Sequence, residues 1–232
     1  MQYFKSLPST NDYVKEHNQE LDNFEAVVTN NQTKGKGRTG HTWESEPNKN
    51  VAISLLVKGD KYTEKFNLLS VITGIVVAEY LENLGIPGVQ IKWPNDVYVN
   101  GKKICGILLE GNLPEYLIIG IGINVNQTNF NELQAISIKN IIGVKIDPNL
   151  VATDIIEELK YQIKSLGNDL SDVIDSYNEK DYLLDKTISF VLNGENKSGV
   201  ARGINLNGSY KVEVGSKVIN ISTNEVSLVR NN

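Results

Sequence analysis

Two segments carry the residue types that do chemistry. The first is Lys92-Trp93-Pro94-Asn95-Asp96, which closes the apolar run Val89-Gln90-Ile91 with a cation, an indole, a rigid turn and two short polar side chains. A lysine at the end of a buried strand either snorkels to water or meets an anion, and a tryptophan beside it is poor core material. The second is Gln32-Thr33-Lys34-Gly35-Lys36-Gly37-Arg38-Thr39-Gly40, which places three cations and three glycines in one loop. Exposed backbone N–H groups and a guanidinium fork both bind phosphate oxygens, so the loop suits a polyanion. A solvated flexible loop is the alternative. Trp43 and a strand follow it rather than a helix, which departs from the dinucleotide and P-loop context.

The other residues narrow the chemistry. There is no Ser/His/Asp or Cys/His arrangement, and His17 and His41 lack metal-ligand spacing. Cys105 is the only cysteine and lies in an apolar run, where a small buried thiol is expected and no internal disulfide can form. A site without a nucleophile can still activate an acid by holding two substrates and neutralising charge. When a carboxylate attacks a nucleotide α-phosphate, two anions meet. One cation at about 4 Å offsets on the order of 4 kcal/mol of that repulsion at an effective dielectric near 20. Lys36, Arg38, Lys92 and Lys103 have the charge for this role, and Asn95, Asp96 and Asn124 could hold magnesium or nucleotide oxygens.

These residues need elements to position them. Ser9 or Thr10 caps a helix from about residue 11 toward 21. Short strands are expected at 24–29 and 51–57. Thr63 caps a helix with the apolar face Phe66, Leu69, Ile72, Val76, Tyr80 and Leu84, stopped by Gly85. Strands at 97–99 and 103–110 are joined across Asn100-Gly101, and a third antiparallel strand runs over 116–126. Gly106, Gly120 and Gly122 leave that sheet bare, which fits a ligand lying flat on it or, equally, a bulge or close helix packing. Helical patterns return at 150–166 and 170–182. Beyond Asp185 come short alternating strands at 187–192, 199–205, 210–214, 217–221 and 225–229, separated by Asn-Gly and Gly-Ser turns. The expected architecture is therefore a mixed α+β domain followed by a small all-β module.

Composition agrees with that division. The chain has 232 residues, enough for one large domain and one small one. Its net charge of −5 opposes general nucleic-acid or membrane binding, so the basic loop is a local exception. No leader or membrane-length apolar run is visible, and a cytoplasmic location is expected. An exposed sheet edge would allow either a monomer or a homodimer.

Several motifs together resemble the biotin–protein ligase family, from about residue 6 to the end. They are Ser9-Thr10-Asn11, the glycine loop, KWPNDVYVNGKKICGILLE at 92–110, IIGIGINVN at 118–126 and STNEVSLV at 222–229. The resemblance implies an α+β fold of class II synthetase type, with a mainly antiparallel mixed sheet in residues 1–184. It also implies a C-terminal SH3-like β-barrel in 185–232. Ser9, Thr10, Asn11 and Gln32 would meet the biotin ring, whose buried ureido group needs hydroxyl and amide partners. Capping by Ser9 and Thr10 is compatible with that role. Lys36, Gly37 and Arg38 would close over biotinyl-adenylate, above Gly106. Lys92 and Arg38 would be the catalytic cations, with Lys92 on the carboxylate and α-phosphate. Trp43, Asn95, Lys103, Gly122 and Asn124 would adjoin the nucleotide, although Trp43 equally suits a loop anchor. Asn95 and Asp96 are the candidates for Mg2+, and 128–142 resembles the loop that covers adenine.

The implied activity is ATP-dependent attachment of biotin to one lysine of a biotin carboxyl carrier domain, through biotinyl-5′-AMP. Lipoate or octanoate ligation, and non-catalytic binding of biotin or nucleotide, are the alternatives. Lys36 stands where the family usually has arginine and Thr39 where it has a basic residue, which implies weaker adenylate retention. No winged helix-turn-helix precedes Ser9, so a ligase without repressor function is expected, with no nucleic acid or membrane partner.

Overall fold

The computed structural model describes residues 1–130, 134–167 and 169–222, together with the backbone of 226–231. The chain begins with β1 (Gln2–Phe4), α1 (Thr10–Glu16), β2 (Ala26–Thr29), β3 (Gly35–Lys36), β4 (Thr42–Trp43) and β5 (Val51–Lys58). It continues through α2 (Asp60–Thr63), α3 (Phe66–Asn83), β6 (Val89–Lys92), β7 (Asp96–Val99), β8 (Lys102–Asn112) and β9 (Tyr116–Ile123). Then come α4 (Ile138–Ile142), α5 (Pro148–Ser165) and α6 (Ser171–Glu179), followed by β10 (Thr187–Leu192), β11 (Glu195–Ile204), β12 (Tyr210–Val214), β13 (Lys217–Ile221) and β14 (Val226–Asn231).

Seven strands form the main sheet in the order β1-β2-β5-β9-β8-β7-β6. Only β1 and β2 pair in parallel; every other pairing is antiparallel. The expected mixed, mainly antiparallel α+β architecture is therefore present. Strand alternation gives the sheet two chemically different faces. Val51, Ile53, Leu55 and Val57 of β5, Ile107 of β8, and Ile119 and Ile121 of β9 point into one large core with α3 and α5. On the opposite face Val27, Leu56 and Ile118 pack under Val14 and Leu21, from α1 and the turn beyond it. The rest of that second face, toward β7, carries glycine and polar residues.

Local signals explain several elements. Ser9 caps α1, its hydroxyl accepting from the Asp12 backbone N–H at 3.2 Å. The Asn100-Gly101 hairpin has both residues in the left-handed region, at φ 52° and 73°, as a two-residue type I′ turn requires. Other expectations are corrected. Thr63 does not cap the long helix; it ends α2 and donates its hydroxyl to the Pro114 carbonyl, while α3 starts without a side-chain cap. Nor does α3 bury a single stripe. Every residue from Leu68 to Ala78 is buried, because α5 and α6 cover the side that the sheet leaves open. The strand expected from 199 starts earlier, at Glu195. The expected start of the last strand, Glu225, lies outside the described residues.

After Asp185 the strands pair as β13-β12-β11-β10-β14, a small antiparallel sheet of its own. It docks on the main sheet through Trp93. Far from being poor core material, Trp93 is 1% exposed, its ring 5.3 Å from that of Tyr210 and its indole N–H directed at the Gly208 carbonyl at 3.5 Å. Gly208 has φ +76°, and a Cβ there would stand 2.8 Å from the backbone of Asn67 and Leu68, so the turn touches the start of α3 directly. Tyr210 completes the dock by donating its hydroxyl to Asp181 Oδ2 at 2.5 Å, while Asp181 Oδ1 accepts from the Leu183 N–H.

Burial pushes the Asp181 carboxyl up to about 6, partly opposed by the Tyr210 hydrogen bond. A carboxyl raised above its ordinary value near 3.9 favours the protonated folded state. Its contribution to stability is therefore present at low pH and lost as pH rises through about 6. Asp181→Asn removes this titration while keeping an acceptor for Tyr210. Relative to wild type, the variant should gain on the order of 2 kcal/mol between about pH 4.5 and pH 7.5, measured by urea unfolding. The same difference at both pH values would contradict the assignment.

Candidate functional site

The polar half of the second sheet face is built by register. Ala52, Gly122, Gly106, Asp96 and Lys92 stand opposite one another across five strands. Ser54, Gly120 and Leu108 form the adjacent row. The glycines do leave the sheet bare, but the protein's own side chains fill the space. A Cβ at Gly122 would stand 2.5 Å from Trp43 Cε2, and one at Gly106 3.0 Å from Trp43 Cζ3, so the indole lies on this strip. A Cβ at Gly120 would stand 2.4 Å from Asn11 Oδ1. Here the glycines permit the close approach of α1 and of the basic loop.

Between these parts lies a cavity of about 240 Å³. Ser9, Thr10, Asn11, Gln32, Lys36, Gly37, Arg38, Trp43, Asn95, Asp96, Lys103, Gly106 and Gly122 all line it. One wall is neutral and polar. Gln32 Oε1 accepts from the Thr10 N–H at 2.8 Å and its hydroxyl at 3.1 Å. Ser54 Oγ gives its one hydrogen to Asn11 Oδ1 at 2.5 Å and lies 2.7 Å from Thr10 Oγ1, where it can only accept, and Asn11 Nδ2 donates to Glu110 Oε2 at 2.7 Å.

The other wall is ionic. Lys103 Nζ lies 2.6 Å from Asp96 Oδ1 and 5.6 Å from the Trp43 ring. Arg38 Nη1 donates to Asn95 Oδ1 at 3.4 Å, and Asn95 Nδ2 donates to the Ile107 carbonyl at 2.9 Å. Burial lowers the pKa of the Arg38 guanidinium and the charge of Asp96 opposes that shift. Lys36 is at the surface, 2.5 Å from Asp12, and its hydrogen bond to that carboxylate raises its pKa.

Two expected residues lie elsewhere. Lys92 shares the sheet row but does not line the cavity; its ammonium lies 5.3 Å from the Tyr98 ring and 5.6 Å from that of Tyr182. Burial pushes the Tyr98 phenol up to about 12, so the ring next to the cation stays neutral. Asn124 is 3% exposed and works as a clamp. Its side chain donates to the carbonyls of Ile136 and Lys103, and its backbone pairs with Ile104 and Ile138. It thereby ties the 134–138 stretch to β8. Within the expected covering loop, residues 131–133 lie outside the described residues.

Asn95 and Asp96, the magnesium candidates, both line the cavity. Among the described residues no three His, Cys, Asp or Glu side chains gather as a metal site. Asp96 is engaged by Lys103, and both ends of the Asn95 amide are bonded. Sequence reasoning missed Ser54 and Glu110. Ser54 had a signal, since a fully buried hydroxyl interrupts the apolar run Val51-Ala52-Ile53-Ser54-Leu55-Leu56-Val57. Glu110 had a weaker one, as the charged end of Ile107-Leu108-Leu109 on the alternation that carries Gly106 and Leu108. A wider groove of about 1290 Å³ adjoins the cavity through the basic loop. It is bounded by Phe66, Pro94, Glu110 and the Asn193-Gly194 turn of the small sheet.

This geometry can be set beside known proteins. Over 231 residues the chain is 29% identical to the bifunctional ligase/repressor BirA of Salmonella typhimurium, covering 96% of this chain and 72% of that one. It is 27% identical over 210 residues to the biotin–[acetyl-CoA-carboxylase] ligase of Mycobacterium tuberculosis, covering 88% and 79%. The biotin protein ligase from Aquifex aeolicus, solved in complex with biotin and ATP, superposes with a TM-score of 0.89 at 28% identity. That match covers 100% of this chain and 98% of the Aquifex chain. Residues 3–124, more than half of the chain and most of the cavity wall, match the model of one family. The chain belongs to the biotin/lipoate A/B protein ligase family.

Proposed function

We propose that this protein is a biotin–protein ligase, which activates biotin with ATP and transfers it to a lysine of a biotin carboxyl carrier domain. The observation that carries this reading is the pairing of two unlike walls in one cavity. The neutral wall, Gln32, Thr10 and Asn11 backed by Ser54, offers the hydroxyl and amide groups that a buried ureido ring needs. The ionic wall, Arg38 and Lys103 beside Trp43, offers charge and an aromatic face for an adenylate.

In the first step a biotin carboxylate oxygen attacks the α-phosphorus of ATP, forming biotinyl-5′-AMP and expelling pyrophosphate. Arg38, Lys103 and Lys92 lower the repulsion between the two anions. For that, Lys92 must leave Tyr98 and Tyr182, a displacement along its own sheet row. Magnesium would come bound to the triphosphate, since the residues here supply at most one carboxylate and one amide oxygen. In the second step the acceptor ε-amine attacks the acyl carbon and AMP departs, the carrier reaching the cavity by way of the wider groove. Residues 1–184 form the catalytic part in this reading and 185–232 the accessory module, working in the cytoplasm, where carrier domain and ATP are both present.

The decisive test is pyrophosphate release from Mg-ATP with biotin, lipoate or no acid. Release that depends on biotin is expected. Lipoate dependence would move the chain to the other branch of its family, and tight biotin binding with no release would leave a binding protein. Arg38→Ala and Lys92→Ala should each lower biotin-dependent release by on the order of 10²-fold; full activity in Lys92→Ala would remove it from the mechanism. Gly122→Val should drive the Trp43 indole off the sheet. It should raise the KM for ATP several-fold while leaving biotin affinity within about twofold, and an unchanged KM for ATP would separate Trp43 from the nucleotide.

A further inference from the structure

Behind the neutral wall stands a charge that the reaction itself does not use. Glu110 Oε2 lies 2.7 Å from Asn11 Nδ2, and Asn11 Oδ1 lies 2.5 Å from Ser54 Oγ. An ionised carboxylate only accepts hydrogen bonds. The Asn11 amide therefore has one allowed orientation, with its NH₂ toward Glu110 and its carbonyl toward the Ser54 hydroxyl. Turned over, it would set carbonyl oxygen against carboxylate oxygen. One hydrogen of that NH₂ serves Glu110, and the second has no protein acceptor among the described residues. Asn11 is 6% exposed and lines the cavity, so this hydrogen is available to a ligand there. The amide is also pressed onto the backbone at Gly120, which leaves it little freedom except that turn.

We propose that Glu110 is a positioning residue that fixes Asn11 as a hydrogen-bond donor toward the ring end of the acid substrate, and so sets specificity for a ring bearing a carbonyl. A cyclic urea has an oxygen to accept this hydrogen. A dithiolane ring has none and would leave the buried donor unsatisfied, a loss of binding rather than a clash. The proposal rests on the reading that the Thr10–Asn11 wall takes the ureido ring.

Titration calorimetry with biotin, lipoate and ATP tests it on wild type, Glu110→Gln, Asn11→Asp and the double variant. In Glu110→Gln the amide at 110 can both donate and accept, so Asn11 is free to turn. Biotin affinity should fall about tenfold and the preference for biotin over lipoate should narrow, with ATP affinity and melting temperature near wild type. Asn11→Asp sets two carboxylates together and should lose both stability and biotin binding. The double variant exchanges acid and amide, restoring the internal hydrogen bond with the opposite polarity. Its melting temperature should recover and its biotin affinity should not.

Recovery of both in the double variant would show a merely structural contact and overturn the proposal. So would a Glu110→Gln affinity within about twofold of wild type, and that single variant decides the matter if Asn11→Asp does not fold. Failure of wild type to bind biotin at all would overturn the ligase reading, and this inference with it.

Discussion

The strip of sheet without side chains at Gly106, Gly120 and Gly122 is the constraint on which the site depends. It lets an indole and a carboxamide approach the backbone of β8 and β9 to within ordinary contact, closer than any Cβ would permit. Glycine inside a strand weakens it, and here the opposite face makes up the loss. Cys105 and Ile107 on β8, and Ile119, Ile121 and Ile123 on β9, alternate with the glycines and are buried in the main core. One pair of strands is thus apolar and tightly packed below, and bare above. The helix carrying Asn11 and the loop carrying Trp43 both settle on the bare side, and the cavity is the space left between them.

Charge in that space is arranged so that the cations do not face one another unopposed. Lys103 is held by Asp96 and Lys36 by Asp12. Arg38 is half-buried, with its guanidinium on the Asn95 amide and the Asp96 charge nearby. Such pairs are worth little as surface stabilisers. Their effect is to keep a cluster of positive charge folded before any anion arrives. A phosphate entering the cavity competes with carboxylates already in place, so its binding reflects an exchange of partners rather than the filling of a bare positive hole.

Much of this was legible in the residues themselves, for local reasons. The Ser9 cap, the Asn100-Gly101 hairpin and the alternating strands after Asp185 depend on side chains acting on their own backbone, which a linear pattern records. Thirteen of the residues singled out line one cavity, because the motifs holding them sit on neighbouring strands and on the loop and helix above. What escaped depends on distant partners. Trp93 looked ill-suited to a core because Tyr210 and Gly208 arrive from more than a hundred residues away. Lys92 looked aimed at the site, yet Tyr182 adds a second aromatic ring beside it. Ser54 and Glu110 became meaningful only once Asn11 was seen between them.

The strand exit at 92–96 turns its residues to different sides: Asp96 toward the cavity, Trp93 into the seam with the small sheet. That seam limits how the small sheet can diverge. A replacement at Tyr210 would open a void against Trp93, and any side chain at Gly208 would strike the first turn of α3. Change at 208–210 is therefore costly in a way that change at the exposed residues of β13, or at the Asn193-Gly194 turn on the rim of the groove, is not. Substitution there leaves the seam as it is, and with it the strand exit that carries Asp96 to the cavity.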